Sequence, residues 1–331
     1  MELTIRIPDD FHLHLRQDRV LEVCAPLSAA GFARALVMPN TLPPLTTPEA
    51  LRRYRERIES VAPSLSPLLT FKIVPGLDPE QVGLLKRAGA VAGKYYPAGA
   101  TTNAEDGFSD IKGAFPLFHA LQAEEMVLSI HGEDPDAPVF EREEAFLSQV
   151  QTIIDNFPRL RIVLEHLSCR ASLEAVRSWP ERVAATITAH HLAFSVEELL
   201  GGRLNQDLFC KPVVKGRSDQ KALIEAAVSG ESRFFFGSDS APHSRKAKIE
   251  GAAGAFTAPV ALPLLADVFS RAGRIDRLED FSSRFGAEFY RLPLNRDKLS
   301  LRRESWRVPA SYEEIVPLCA GEELEWRVLR T

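Results

Sequence analysis

The sequence predicts an α/β fold of the (β/α)8 TIM-type barrel class, and three observations carry that prediction. Eight short apolar runs recur along the chain, helical patterns fill the intervals, and no glycine- or serine-rich linker, repeat or low-complexity tract interrupts them. An open doubly wound sheet is the runner-up, but no G-x-G-x-x-G follows the first strand to support a dinucleotide site. With 331 residues, 45% of them hydrophobic, the chain can bury a barrel-sized core. Residues 1–331 read as one domain, with short C-terminal helices and strands appended to the barrel.

The first strand carries Asp10-Phe11-His12-Leu13-His14-Leu15-Arg16. Side chains alternate along a strand, so His12 and His14 project to one side and Leu13 to the other. The second runs from Arg34 to Met38 and stops at Pro39-Asn40. Thr47-Pro48-Glu49 then opens a helix with a capping side chain and proline at the first helical position. Leu51, Tyr54, Ile58 and Val61 continue it at helical spacing. The third strand spans Leu69 to Pro75, and Asp78-Pro79-Glu80-Gln81 caps a helix that stops near Gly89.

The fourth, Ala90 to Gly93, leads into Lys94 and a loop of small residues from Ala98 to Asn103. The fifth, Met126 to Ile130, ends at His131; the sixth, Arg161 to Glu165, ends at His166. The seventh, Val183 to Thr188, precedes His190-His191, and the eighth, Arg233 to Ser238, ends at Asp239 with His243 close behind. Helices are expected over Glu141–Asn156, Asp219–Val228, Ala258–Phe269 and Phe281–Tyr290, and tail strands around Leu299–Trp306 and Leu324–Leu329. The tail is expected to pack against the barrel. His190 and His191 are expected to be solvated or to support other groups rather than to bind a metal.

A formal net charge of −5 and a pI near 6.0 argue against a nucleic-acid surface and leave room for a local cationic pocket. Four scattered cysteines without C-x-x-C fit reduced thiols. The N-terminus lacks a signal-peptide pattern, and no apolar run reaches membrane-spanning length. A soluble, cytoplasmic enzyme is the expectation.

All C-terminal strand ends of such a barrel open on one face. His12, His14, Lys94, His131, His166 and Asp239 would meet there, and imidazole nitrogens with a carboxylate suit zinc and related divalent ions. Lys94 is anomalous, because an ammonium is repelled by a metal. It must be distant, neutral or modified, and CO₂ added to a neutral amine would make a carbamate able to bridge two cations.

Six stretches together resemble dihydroorotases, specifically the shorter, single-domain bacterial type within the amidohydrolase superfamily. They are His12-Leu13-His14-Leu15-Arg16, Met38-Pro39-Asn40, Lys94-Tyr95-Tyr96-Pro97 with Ala100-Thr101-Thr102-Asn103, His131-Gly132-Glu133, Glu165-His166, and Gly237-Ser238-Asp239-Ser240-Ala241-Pro242-His243. The resemblance implies two zinc ions per chain: His12, His14 and Asp239 on one, His131 and His166 on the other, carboxylated Lys94 and a hydroxide bridging both. It implies reversible cyclisation of N-carbamoyl-L-aspartate to L-dihydroorotate in pyrimidine synthesis. Asp239 then serves as general base and general acid. Arg16, Asn40 and His243 match a clamp for the substrate carboxylate, and Thr101 and Thr102 match a loop that closes over the ligand.

Two departures from the family pattern stand out. Lys211 occupies a position whose backbone meets the pyrimidine ring, often beside an apolar side chain, and the Ser244–Ala253 segment flanking the ligand contact at Ala253 is short. The rival readings are another cyclic amidohydrolase, such as a hydantoinase, and a non-catalytic scaffold. The resemblance allows a homodimer, for which the sequence offers no interface signature.

Overall fold

All eight apolar runs become strands, and they pair side by side in chain order. A computed structural model describes residues 1–329 of the chain. Outside the barrel lies β1 (Glu2–Arg6). The barrel consists of β2 (Asp9–Leu13), β3 (Arg34–Val37), β4 (Ser66–Ile73), β5 (Ala90–Tyr95), β6 (Val127–Ile130), β7 (Arg161–Leu164), β8 (Val183–Ile187) and β9 (Phe234–Phe236). Every neighbouring pair from β2 to β9 is parallel. The seam between β9 and β2 closes just above the strands: the Asp239 amide donates to the His12 carbonyl at 2.8 Å, and the His14 amide to the Ser240 carbonyl at 3.0 Å.

Helices fill the intervals as the periodicity requires. Pro48–Val61 starts at Thr47, whose side chain accepts from the Ala50 amide, and it buries Leu51, Tyr54 and Ile58. Arg142–Asn156 and Arg217–Ser229 match the expected positions within two residues.

The barrel interior is built in two levels. A lower apolar layer holds Phe11, Leu36, Ala92, Val127, Val163, Ala184 and Phe235. Further along five of the strands the inward face turns polar, giving Thr70 on β4, Lys94 on β5, Ser129 on β6, Glu165 just past β7 and Thr186 on β8, all fully or almost fully buried. On β2 the register against β3 shifts between Asp10 and Leu13. That bulge lets Phe11 join the apolar layer while His12 faces the polar one.

The tail has a definite role. Phe281–Tyr290, expected as one helix, begins with a π-helical turn (Asp280–Arg284) and continues as Phe285–Phe289. It plugs the lower mouth of the barrel: Tyr290 stacks on Phe11 with ring centroids 5.0 Å apart. Gly286 permits that approach, since a Cβ there would stand 2.3 Å from the Phe11 ring. The other expected helix starts later, spanning Ala261–Arg271. β10 (Lys298–Arg307) pairs antiparallel with both β11 (Glu323–Leu329) and β1, forming a separate three-stranded sheet. The pattern of Met1–Arg6 alone did not reveal β1, because its pairing partner lies almost 300 residues away. All four cysteines are free and buried. Among the described residues no helix is long and apolar enough to cross a membrane.

Candidate active site

Each expected ligand stands at or just beyond a barrel strand, and the set converges. His12, His14, Arg16, Asn40, Thr101, Thr102, His131, His166, Lys211, Asp239 and Ala253 line one small pocket at the C-terminal face, together with Tyr96, Ala241 and Gly254. Lys94 lies beneath it in β5, fully buried. His243 reaches the rim, with Nε2 3.1 Å from Arg16 Nη2 and 2.9 Å from the Ala253 carbonyl oxygen.

Backbone geometry around the pocket is strained in a consistent way. Arg16, His166 and Asp239 all have positive φ, at 58°, 44° and 44°. Each such non-glycine residue costs about 1–3 kcal/mol and persists only where its surroundings enforce it. For Asp239 the enforcing contacts are the hydrogen bond its N–H donates to the His12 carbonyl and those from the Ser238 amide and hydroxyl to the Asp10 carboxylate, at 2.8 and 2.5 Å. Burial pushes the Asp10 carboxyl up to about 7, against those hydrogen bonds.

Partners on the far side of each imidazole decide which nitrogen is bare. His12 Nδ1 lies 2.9 Å from Glu165 Oε2, and a carboxylate only accepts, so Nδ1 carries the proton and Nε2 the lone pair. His14 Nδ1 likewise donates to Asn40 Oδ1 at 2.8 Å. The Asn40 orientation is set because its Nδ2 donates to the Thr102 carbonyl at 3.1 Å. The two bare Nε2 atoms therefore face each other at 3.3 Å, and Asp239 Oδ1 approaches both, at 3.4 and 3.1 Å. His131 Nε2 donates to Glu133 at 2.7 Å, leaving its Nδ1 bare and 3.1 Å from His166 Nε2. Electron pairs packed this closely repel one another unless a cation lies among them, and the donor set is that of a divalent ion. One ligand atom each from His12, His166 and Asp239 already lies within 4.8 Å of the others.

Electrostatics agree with that assignment. Burial pushes His12 below the ordinary histidine range, and His14 and His166 well below it, so these rings are neutral and able to bind metal. Burial raises Glu165, but His12, Lys94 and its hydrogen bonds outweigh that and hold it below the usual carboxylate range. Burial raises Asp239, opposed by His12, His131 and Lys94.

Two buried lysines, paired in register on adjacent strands, make an informative contrast. Lys72 Nζ is satisfied by Asp106 and by the Asn103 carbonyl. Lys94 Nζ has no hydrogen-bond partner among the described residues, and burial pushes it down to about 8 despite Glu165 and Asp239 nearby. An amine this close to neutral and this poorly satisfied is chemically suited to modification.

Several residues here escaped the sequence reading. Glu165 also accepts from the Ser129 and Thr186 hydroxyls, so the carboxylate that orients His12 is itself anchored by two neighbours. The signal was present, since Glu165 precedes one expected ligand and Glu133 follows another by two residues. Tyr96, whose hydroxyl is buried without a partner among the described residues, packs beside Lys94. Of the two alternatives expected for His190 and His191, solvation is ruled out because both are buried, whereas support of other groups describes His191, which bridges Thr188 and the Pro212 carbonyl. They sit with Cys210 in a second group of potential donors, yet both His191 nitrogens are already engaged.

No protein-family model matches this chain. A curated dihydroorotase from Teredinibacter turnerae is 44% identical over 338 aligned residues, covering 98% of each chain. Among solved structures, a dihydroorotase from Campylobacter jejuni superposes with a TM-score of 0.92 at 38% identity, covering 99% of this chain and 97% of that one. A Saccharomyces cerevisiae dihydroorotase in complex with 5-fluoroorotic acid gives 0.93 at 33% identity, covering 99% and 98%.

Proposed function

The chain belongs to the dihydroorotase family of the amidohydrolase superfamily, and on that footing we propose that it interconverts N-carbamoyl-L-aspartate and L-dihydroorotate with six ligating residues around two zinc ions. The observation that carries this reading is the convergence of bare imidazole nitrogens and the Asp239 carboxylate at the C-terminal mouth of the barrel. His12, His14 and Asp239 would hold one ion and His131 and His166 the other, with carboxylated Lys94 spanning both. When bound, such ions polarise the amide carbonyl and make an acidified water available at neutral pH.

The remaining work falls to this chain's own groups. Asp239, raised by burial, takes a proton at its carboxylate and returns it to the departing ring nitrogen. Arg16 offers a planar guanidinium to the substrate carboxylate, joined by His243 and Asn40. Burial and the neighbouring Arg16 push His243 down to about 3, so it binds as a neutral donor. Thr101 and Thr102 would form the pocket roof over the ligand, and the Thr102 hydroxyl lies 3.4 Å from the Ala253 carbonyl oxygen on the facing wall. Lys211 and Ala253 line the side that would meet the ring.

A hydantoinase would leave Arg16 without a carboxylate to bind, and a scaffold would not retain every ligand. The same reading makes residues 1–331 one cytoplasmic amidohydrolase domain and allows a homodimer, which size-exclusion chromatography checks. The deciding experiment assays purified protein on dihydroorotate and on hydantoin while counting its metal. Turnover of dihydroorotate with about two ions per chain is expected. Hydantoin turnover alone, or no turnover by the fully loaded protein, would overturn the reading.

A further inference from the structure

Lys248 is buried, yet among the described residues no carboxylate pairs with it. Its Nζ donates to three backbone carbonyls instead: Phe209 and Ala252 at 3.0 Å, and Gly254 at 2.8 Å. Three donors meet three acceptors, so the ammonium is fully satisfied by dipoles. Burial nevertheless pushes its pKa down to about 8, with only Cys210 and Asp207 opposing. A lysine in the last turn of the short helix Arg245–Ile249 could simply cap that helix. The contacts rule this out, because two of the carbonyls lie beyond the helix and the third belongs to a different segment.

Both segments form walls of the substrate pocket. One runs from Phe209 to Lys211 and the other from Ala252 to Gly254, and Lys211, Ala253 and Gly254 all line the cavity. The Gly254 amide also donates to the Phe209 carbonyl at 2.8 Å, so the walls are joined by backbone as well as by Lys248. With the carbonyls of Ala252 and Gly254 drawn to the ammonium, the carbonyl between them is turned elsewhere. That Ala253 oxygen meets His243 Nε2 at 2.9 Å and Thr102 Oγ1 at 3.4 Å, so it touches both the carboxylate clamp and the roof. Gly254 at φ +146° is needed for this path, since a Cβ there would lie 2.6 Å from the Ala241 carbonyl oxygen.

We propose that Lys248 is a positioning residue for substrate binding: through three carbonyls it holds the Ala253 peptide toward His243 and Thr102 and fixes the Phe209–Lys211 wall against it. This rests on the reading that the pocket binds dihydroorotate. Lys248 touches no reacting atom, so its loss should weaken binding and spare chemistry.

The test replaces Lys248 with the similarly sized, apolar methionine and measures KM and kcat on dihydroorotate, with metal content and Tm alongside. Losing charge-assisted bonds that hold the wall should raise KM about tenfold or more while kcat stays within about threefold. Metal content should not change. The KM increase caused by Thr102→Val in the parent should be largely absent in the Lys248→Met background, because the two residues act on one carbonyl. If Lys248→Met does not fold, Lys248→Gln carries the same expectations. A folded, metal-loaded variant with parental KM, or KM penalties that simply multiply, would overturn the assignment. Failure of both variants to fold would make Lys248 a folding residue and overturn it as well. If the parent protein itself ignores dihydroorotate, the functional reading fails first and this assignment with it.

Discussion

The Asp239 amide donates to the His12 carbonyl at 2.8 Å across the seam that closes the barrel. This backbone hydrogen bond, with the one from the His14 amide to the Ser240 carbonyl, closes the barrel and sets a carboxylate against two imidazoles. Architecture and ligand geometry are coupled there, and the positive φ of Asp239 is the local cost of that coupling.

Metal content should depend on residues that never touch the ions. Protein purified without chelators should carry about two divalent ions per chain by elemental analysis. Glu165 holds His12 in the tautomer that bares Nε2, so Glu165→Gln should weaken metal binding by about 10–100-fold. Unchanged affinity in a chelator competition would show that His12 is oriented by other means.

Lys94 should be required for metal and activity together. Lys94→Ala should lose both, and a small carboxylic acid added to that variant should restore part of each by supplying the missing anion. Lys94→Arg should fail, since a guanidinium stays cationic and takes up no CO₂. A ¹³CO₂-labelled NMR signal at the lysine nitrogen is the direct check, and active, metal-loaded enzyme with a bare ammonium there would refute the bridge.

Asp239 should control turnover more than metal retention. Asp239→Asn should lower kcat by about a hundredfold to ten-thousandfold, the range for a lost proton shuttle, while the four histidines keep part of the metal. Near-normal turnover would mean that another group moves the proton.

Arg16 should discriminate between substrates. Arg16→Lys should weaken dihydroorotate by about 10–100-fold, since lysine cannot reproduce the planar fork, and should matter little for a neutral cyclic amide. Equal losses on both would assign Arg16 to structure, through its bond to the Pro242 carbonyl.

Lys248 should leave a mark on stability against pH. Its folded pKa of about 8 lies below its ordinary value of 10.5, so between those values the unfolded chain binds more protons and stability contributed by this residue rises with pH. The Tm difference between the parent and Lys248→Met should therefore shift toward the parent as pH rises from about 8 to about 10, within that window. A difference constant over that range would mean that Lys248 is not depressed.

Much of this protein is determined by sequence alone, because its elements are local and periodic. Alternation along short strands places His12 with His14, and it also puts Val127, Ser129 and His131 on one inward face. Strand ends in a parallel barrel all point one way, so ligand residues at those ends could be gathered without coordinates. What only the tertiary structure decided depends on contacts between distant segments. The β2 bulge, the Glu165 contacts that set the His12 tautomer, the plug of Tyr290 on Phe11 and the three carbonyls around Lys248 each join residues far apart in the chain. No local pattern encodes such pairings, because they form only when the barrel closes and brings those groups within bonding distance.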